Sequence, residues 1–378
     1  MPAAQRRTTA WILVWLCVLV ISYASLYPFE HWRNQDIAPW SFVGAPWPRY
    51  NTAFDIWSNL LGYMPLGFWL CLAAMRSGLG RSWSLTLGLG GAWALSFILE
   101  SGQSFLPMRV PSQLDWLINT LGGALGAALA VYLERRGWLY HWAQFRQHCL
   151  VPDAGSSLVL LGLWPLALLF PMSVPLGLGQ VLARLREVAL QTFPDGQWLL
   201  ELPPDGFFVT LSPAMVLVCV SLGVLVPALL GQSVLRQPAQ RHGWVIGVVA
   251  LAVLFNALSA ALTYGPENAW YWLDAKVFAG LALGCLMALL ALRLSPSWTL
   301  GVMLLAQLML LLWVNQLTAS VYLMQTVQTW EQGRFIRFHG LTQWLNWSWP
   351  WVLLVLGSLR WYALLGSPKP GAGPRIPP

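Results

Sequence analysis

Three pairs of polar side chains stand where long apolar runs begin or end. Asp55 and Asn59 are four apart, Glu100 and Gln103 three apart, and Asp115 and Asn119 four apart. On an α-helix either spacing puts both members of a pair on one face. Brought together, these carboxylates and amides could bind a headgroup or a cation. They could also hold one carboxylate, Glu100 or Asp115, as a general base. Arg109, in the stretch between Gln103 and Asp115, is the expected counter-charge. The same residues admit a structural use, with Asp55 and Asp115 as N-caps at positive helix ends and Arg109 neutralising Glu100 to pin a loop. Both readings are open from the residues alone.

A second polar stretch, 329–346, carries Arg334, Arg337 and His339 among several tryptophans. Guanidinium forks bind phosphate, so an anionic or sugar headgroup fits this stretch. A solvated re-entrant loop anchored by tryptophans is the alternative.

The elements that must position these residues follow from composition. Of 378 residues, 57% are apolar and only 9% charged, against about a quarter charged in soluble domains. That excludes a water-soluble globular fold and predicts an all-α, polytopic integral membrane bundle. Windows long enough to cross about 30 Å of hydrocarbon predict about ten transmembrane helices: 11–26, 56–75, 83–99, 116–133, 157–176, 213–230, 244–263, 275–294, 298–317 and 349–365. Pro65 should kink the second span near Gly62. Gly122 and Gly126 form a G-x-x-x-G that allows close helix approach. Trp11, Trp83, Trp116, Trp244, Trp298 and Trp349 mark span ends, where an indole prefers the headgroup level.

With both termini cytoplasmic, most basic residues fall inside, and only Glu134 and Asp153 among the acids join them. This positive-inside bias accounts for the net charge of +7 without a nucleic-acid partner. Arg6 and Arg7 precede a first run too long for a signal-peptide core, so an uncleaved span is expected. The five cysteines fall in spans or on the cytoplasmic side, which implies no disulfide framework. H-E-x-x-H, C-x-x-C, Walker A and G-x-G-x-x-G sequences are all absent, so no metal or other cofactor is expected.

The expected organisation is a four-helix domain over 1–150 with its core at 20–135, a second domain of about six helices over 151–366, and a disordered tail, 367–378. Between the fifth and sixth spans, Val181, Leu182, Leu185, Val188 and Ala189 share a face opposite Arg184, Glu187 and Gln191, predicting a short interfacial helix.

The ordered set Asp55-x-x-x-Asn59, Pro65, Gly67, then Glu100-x-x-Gln103 with Leu106, Pro107, Arg109 and Ser112, then Asp115-x-x-x-Asn119 with Gly122 and Gly126, resembles the VanZ-like family of bacterial membrane proteins. Tyr27-Pro28-Phe29 fits as well. The resemblance covers roughly residues 20–135 and implies a multi-pass helical domain. For the family's namesake it implies a link to teicoplanin resistance by a mechanism not established. The namesake is short, and the six further spans lie outside the pattern. A protein of the bacterial inner membrane is expected, in contact with membrane lipids, whose outward polar pocket takes a lipid-linked or glycan-like envelope precursor. An enzyme acting on such a substrate is the alternative, and an ion-coupled secondary transporter the second alternative. The latter would place charges at mid-membrane, which the later spans nearly lack.

Overall fold

Hydrocarbon offers no partner to a bare peptide group, so a chain this apolar must satisfy its backbone internally, and helices do so. The computed structural model describes residues 9–27, 29, 31–47, 53–193, 211–317 and 336–365. Among them helices dominate and no strand occurs, the one ladder contact being an isolated bridge between Leu150 and Leu235. The chain divides into two compact units, Met1–Arg146 and Gln147–Pro378.

The first unit contains α1 (Thr9–Leu26), α2 (Ala53–Arg76), α3 (Arg81–Gln103) and α4 (Gln113–Arg135). Helix α5 (Trp138–Cys149) holds the division between the units and exposes Trp138, Tyr140, Trp142 and Phe145. Helix α2 runs unbroken through Pro65. Glycines set how closely it meets α4. A Cβ at Gly122 or Gly126 would strike the carbonyls of Leu60 and Met64, and one at Gly67 the backbone of Gly123. Helix α3 closes the group, Gly88 leaving room for Ala127, whose Cβ would lie 2.7 Å from a methyl placed there. At the end away from Glu100, Arg81 grips Glu134 through two hydrogen bonds of 2.9 and 3.3 Å.

The second unit contains α6 (Gly155–Ala167), α7 (Leu182–Thr192), α8 (Pro213–Val234), α9 (Pro238–Tyr264), α10 (Ala275–Leu290), α11 (Pro296–Gln316) and α12 (Ile336–Leu365). Helix α8 is its axis, buried without interruption from Cys219 to Val234.

Seven helices among the described residues are long and apolar enough to cross a membrane: α2, α3, α4, α8, α9, α10 with its extension to Arg293, and α11. Three expected spans depart from this set. Helix α1 is shorter, and α12 begins at Ile336, well before the expected 349, so 336–346 is helix and not loop. The fifth window was expected as one helix over 157–176, yet α6 stops at Ala167. Beyond it Pro171 and Pro175 lack the N–H a helix needs, and Leu176 and Gly179 take φ of 66° and 89°. This non-helical stretch is buried, with Leu168, Val174, Leu176 and Leu178 at 2% exposure or less.

Irregular backbone at such depth needs partners. Two asparagines supply them. Asn346 accepts from the Gly179 N–H and donates to the Ala167 carbonyl. Asn315 accepts from the N–H groups of Val181 and Leu182 and donates to the Gly179 carbonyl. Trp349, expected as a surface anchor, instead lies in the core with its Nε1 donating to the Leu160 carbonyl at 2.8 Å. Helix α7 forms where the amphipathic pattern put it, with Leu185 and Val188 exposed.

Candidate functional site

The polar pairs belong to three helix ends that α2–α4 packing brings together. The glycine contacts hold α2 against α4, so the first turns of both lie side by side. There the Asn59 side chain hydrogen-bonds Asp115, and Asp55 is near enough for its charge to act on Asp115. Glu100, in the last turn of α3, is 3% exposed, and the charge of Asp115 reaches it in turn.

Local structure explains how Glu100 is held. Ser112 caps α4, its Oγ accepting from the Asp115 N–H at 3.3 Å. Its own backbone N–H donates to Glu100 Oε2 at 2.9 Å. The C-terminus of α3 and the N-terminus of α4 are thus joined through one carboxylate. One turn deeper, Asn119 Nδ2 donates to Ser96 Oγ at 3.0 Å, and Tyr63 hydrogen-bonds Ser96. Tyr63, Ser96 and Asn119 are all buried, and the buried Asn119 Oδ1 has no hydrogen-bond partner among the described residues. The arrangement is rich in acceptors.

Two expected members turn elsewhere. Gln103 donates to the carbonyl and hydroxyl of Ser25 on α1, at 3.2 and 2.8 Å. Arg109 does not pair with Glu100. Its guanidinium donates to the carbonyls of Tyr27 and Ala24 instead, capping the C-terminus of α1. The physical reason is that α1 ends there with carbonyls that no intrahelical donor can reach, and a cation is favoured at that negative end. Arg334 lies outside the described residues. Arg337 and His339 belong to the first turn of α12, and their side chains lie outside the description.

A segment from the α1–α2 connection covers this end. Gln35 donates to the Ser104 carbonyl at 2.8 Å, the Arg33 N–H to that of Phe105, and Gln113 to that of Ala45. Phe42, 2% exposed, inserts against Phe97 and Trp116 with ring centroids at 5.7 and 6.0 Å. Sequence reasoning missed Tyr63, Ser96 and Phe42. The first two could have been found, since Tyr63 follows Asn59 by four and Ser96 precedes Glu100 by four, extending the same faces by one turn.

No three of the described His, Cys, Asp and Glu residues are grouped to hold a metal ion. What the site can do is accept several hydrogen bonds from a donor-rich group beside two carboxylates contributed by different helices.

Residues 7–134 match the VanZ/LLP1 family model, which spans the helices bearing this site and accords with the motifs of residues 20–135. No curated protein and no solved structure matches the chain. Over its first third the chain is VanZ-like, and its apolar helices make it a multi-pass membrane protein.

Proposed function

We propose that this VanZ-like protein serves the bacterial envelope from the inner membrane, and that the pocket around Glu100 binds the headgroup of a lipid-linked or glycan-like ligand. The observation that carries this reading is the surplus of acceptors. Glu100 uses one backbone N–H, Asn119 Oδ1 is left over, and Arg109 is spent on α1. Buried acceptors left unsatisfied are costly, so the site favours a ligand that supplies donors, such as sugar hydroxyls or an amine, over a phosphate. Arg109 is accordingly not assigned to an anionic group.

The second reading is an enzyme acting on a lipid-linked substrate, with Glu100 or Asp115 as base. The observation favouring it is that carboxylates from α3 and α4 lie within electrostatic reach of each other, an arrangement that suits proton transfer.

The test is a mass-spectrometric profile of envelope lipids in a deletion strain complemented with wild type, Glu100→Gln or Asp115→Asn at matched membrane abundance. One lipid-linked species that accumulates in the deletion and is corrected only by wild type supports the proposal. Conversion of that species by the purified protein would select the enzyme reading. Profiles restored equally by both variants would make the carboxylates structural and end both readings.

A further inference from the structure

The second unit holds a cavity that the proposal above does not use. It lies where α9 begins and α10 ends, has a volume of about 300 Å³, and is lined by Pro238, Arg241, His242, Leu289, Leu292 and Arg293. A short 3-10 turn, Ala291–Arg293, carries α10 past its last α-helical residue and brings Arg293 to the rim. Arg241 is half-buried, and its Nε donates to the Leu235 carbonyl at 3.0 Å. That bond fixes the stem of the side chain and leaves both terminal nitrogens without a partner among the described residues. His242 Nδ1 meets the Pro238 carbonyl at 2.9 Å. A carbonyl only accepts, so Nδ1 is the donor, and Nε2 of the neutral ring is an acceptor that suits a headgroup hydroxyl and not a phosphate oxygen.

The charges are unbalanced. Neither guanidinium pairs with a carboxylate among the described residues, in contrast to Arg81 with Glu134 and Lys276 with Asp274. Basic bias in the loops orients the chain, but orientation alone requires no cavity between two arginines. The walls are mixed, with Leu289, Leu292 and Pro238 apolar beside the cations. Forked guanidiniums suit phosphate oxygens, apolar walls suit the first methylenes of an acyl chain, and basic pockets between membrane helices take anionic headgroups.

We propose that this cavity is a binding site for a phosphate group, with the headgroup of an anionic phospholipid as its occupant. It lies in a different unit from Glu100 and prefers the opposite ligand charge.

The experiment uses the full chain purified in detergent. Native mass spectrometry reads retention of dioleoylphosphatidylglycerol, of dioleoylphosphatidylcholine, and of the former in competition with millimolar inorganic phosphate. Wild type is compared with Arg293→Gln, with the double variant Arg241→Gln/Arg293→Gln, and with the charge-matched control Arg135→Gln/Arg136→Gln. Phosphatidylglycerol retention is expected to fall about tenfold in the double variant and severalfold in Arg293→Gln, an exposed residue whose loss leaves the fold intact. The control and the zwitterionic lipid should not change. Competition by free phosphate would show that the phosphate alone carries recognition, and lack of competition that the acyl chain contributes; either supports the site. Equal loss in the control, or equal retention by wild type and Arg293→Gln, would overturn it.

Discussion

The two units spend their buried polar side chains differently. In the second unit amides serve the backbone, buried Asn346 and half-buried Asn315 together satisfying the irregular stretch after Ala167, while buried amide atoms left over among the described residues, such as Gln232 Oε1 and Gln307 Nε2, belong to separate helices, α8 and α11. In the first the buried polar side chains are carboxylate, hydroxyl and amide groups at helix ends whose capacity exceeds what the fold consumes, as the unpartnered Asn119 Oδ1 shows. A polar group fully used by its own chain is explained by stability. Underused groups gathered with carboxylates from several helix ends are where a ligand is to be sought.

The sharpest contrast comes from substituting the groups that each unit depends on. Gly126→Leu would force a side chain into the Met64 carbonyl and should abolish the folded first unit, read as lost monodisperse protein in detergent chromatography. Asn346→Leu orphans the Gly179 N–H and the Ala167 carbonyl, and at about 1 to 3 kcal/mol per buried group the loss should be roughly 2 to 6 kcal/mol. A lowered thermal midpoint without any change in ligand binding would check it. Glu100→Gln should do the reverse, shifting stability by less than about 1 kcal/mol, because an amide oxygen still accepts from Ser112, while removing function. If Glu100→Gln destabilised as much as Asn346→Leu, the contrast between the units would collapse.

Arg109 sharpens the comparison within the first unit. Arg109→Gln should cost roughly 1.5 to 3 kcal/mol through its bonds to the end of α1. A double-mutant cycle with Glu100→Gln should show coupling below about 0.5 kcal/mol, whereas a true ion pair would give more.

The smallest effect expected is at α10. Asp274 caps this helix and accepts from the N–H groups of Val277 and Lys276, each at 3.0 Å, which holds its carboxyl below the usual aspartate range. Its contribution is present above the ordinary aspartate pKa and fades as pH falls through the lowered one. Asp274→Ala should therefore cost about 1 kcal/mol near neutrality and progressively less in acid, measured as thermal midpoints across pH 7 to 3.

Much of this was legible beforehand, for reasons that differ by residue. The helix faces carrying Asn59, Glu100, Asp115 and Asn119 were legible because helical spacing is a local rule, whereas their convergence depends on how Gly122 and Gly126 seat α4 against α2. The fate of Arg109 was not legible, since choosing between Glu100 and the carbonyls of α1 depends on where α1 ends in space. The window 157–176 was read as a span because mean hydropathy is blind to chain direction. Pro171 and Pro175 were visible in it, but the asparagines that make a break tolerable lie more than a hundred residues away. Trp349 misled for a related reason: an indole at an apolar boundary suits a headgroup or a buried carbonyl equally well.

The grip of Arg81 on Glu134 has a mechanical consequence. It ties the start of α3 to the end of α4, while Gly88 and Gly123 draw the same two helices together midway. A pair clamped at one end and closed in the middle behaves as a clothes-peg, and its jaws are the ends carrying Glu100 and Asp115. Phe42, packed against both Phe97 of α3 and Trp116 of α4, is the cork at those jaws. If the proposed headgroup binds there, Phe42 is the side chain its entry displaces, and the end tied by Arg81 and Glu134 is the one that stays closed.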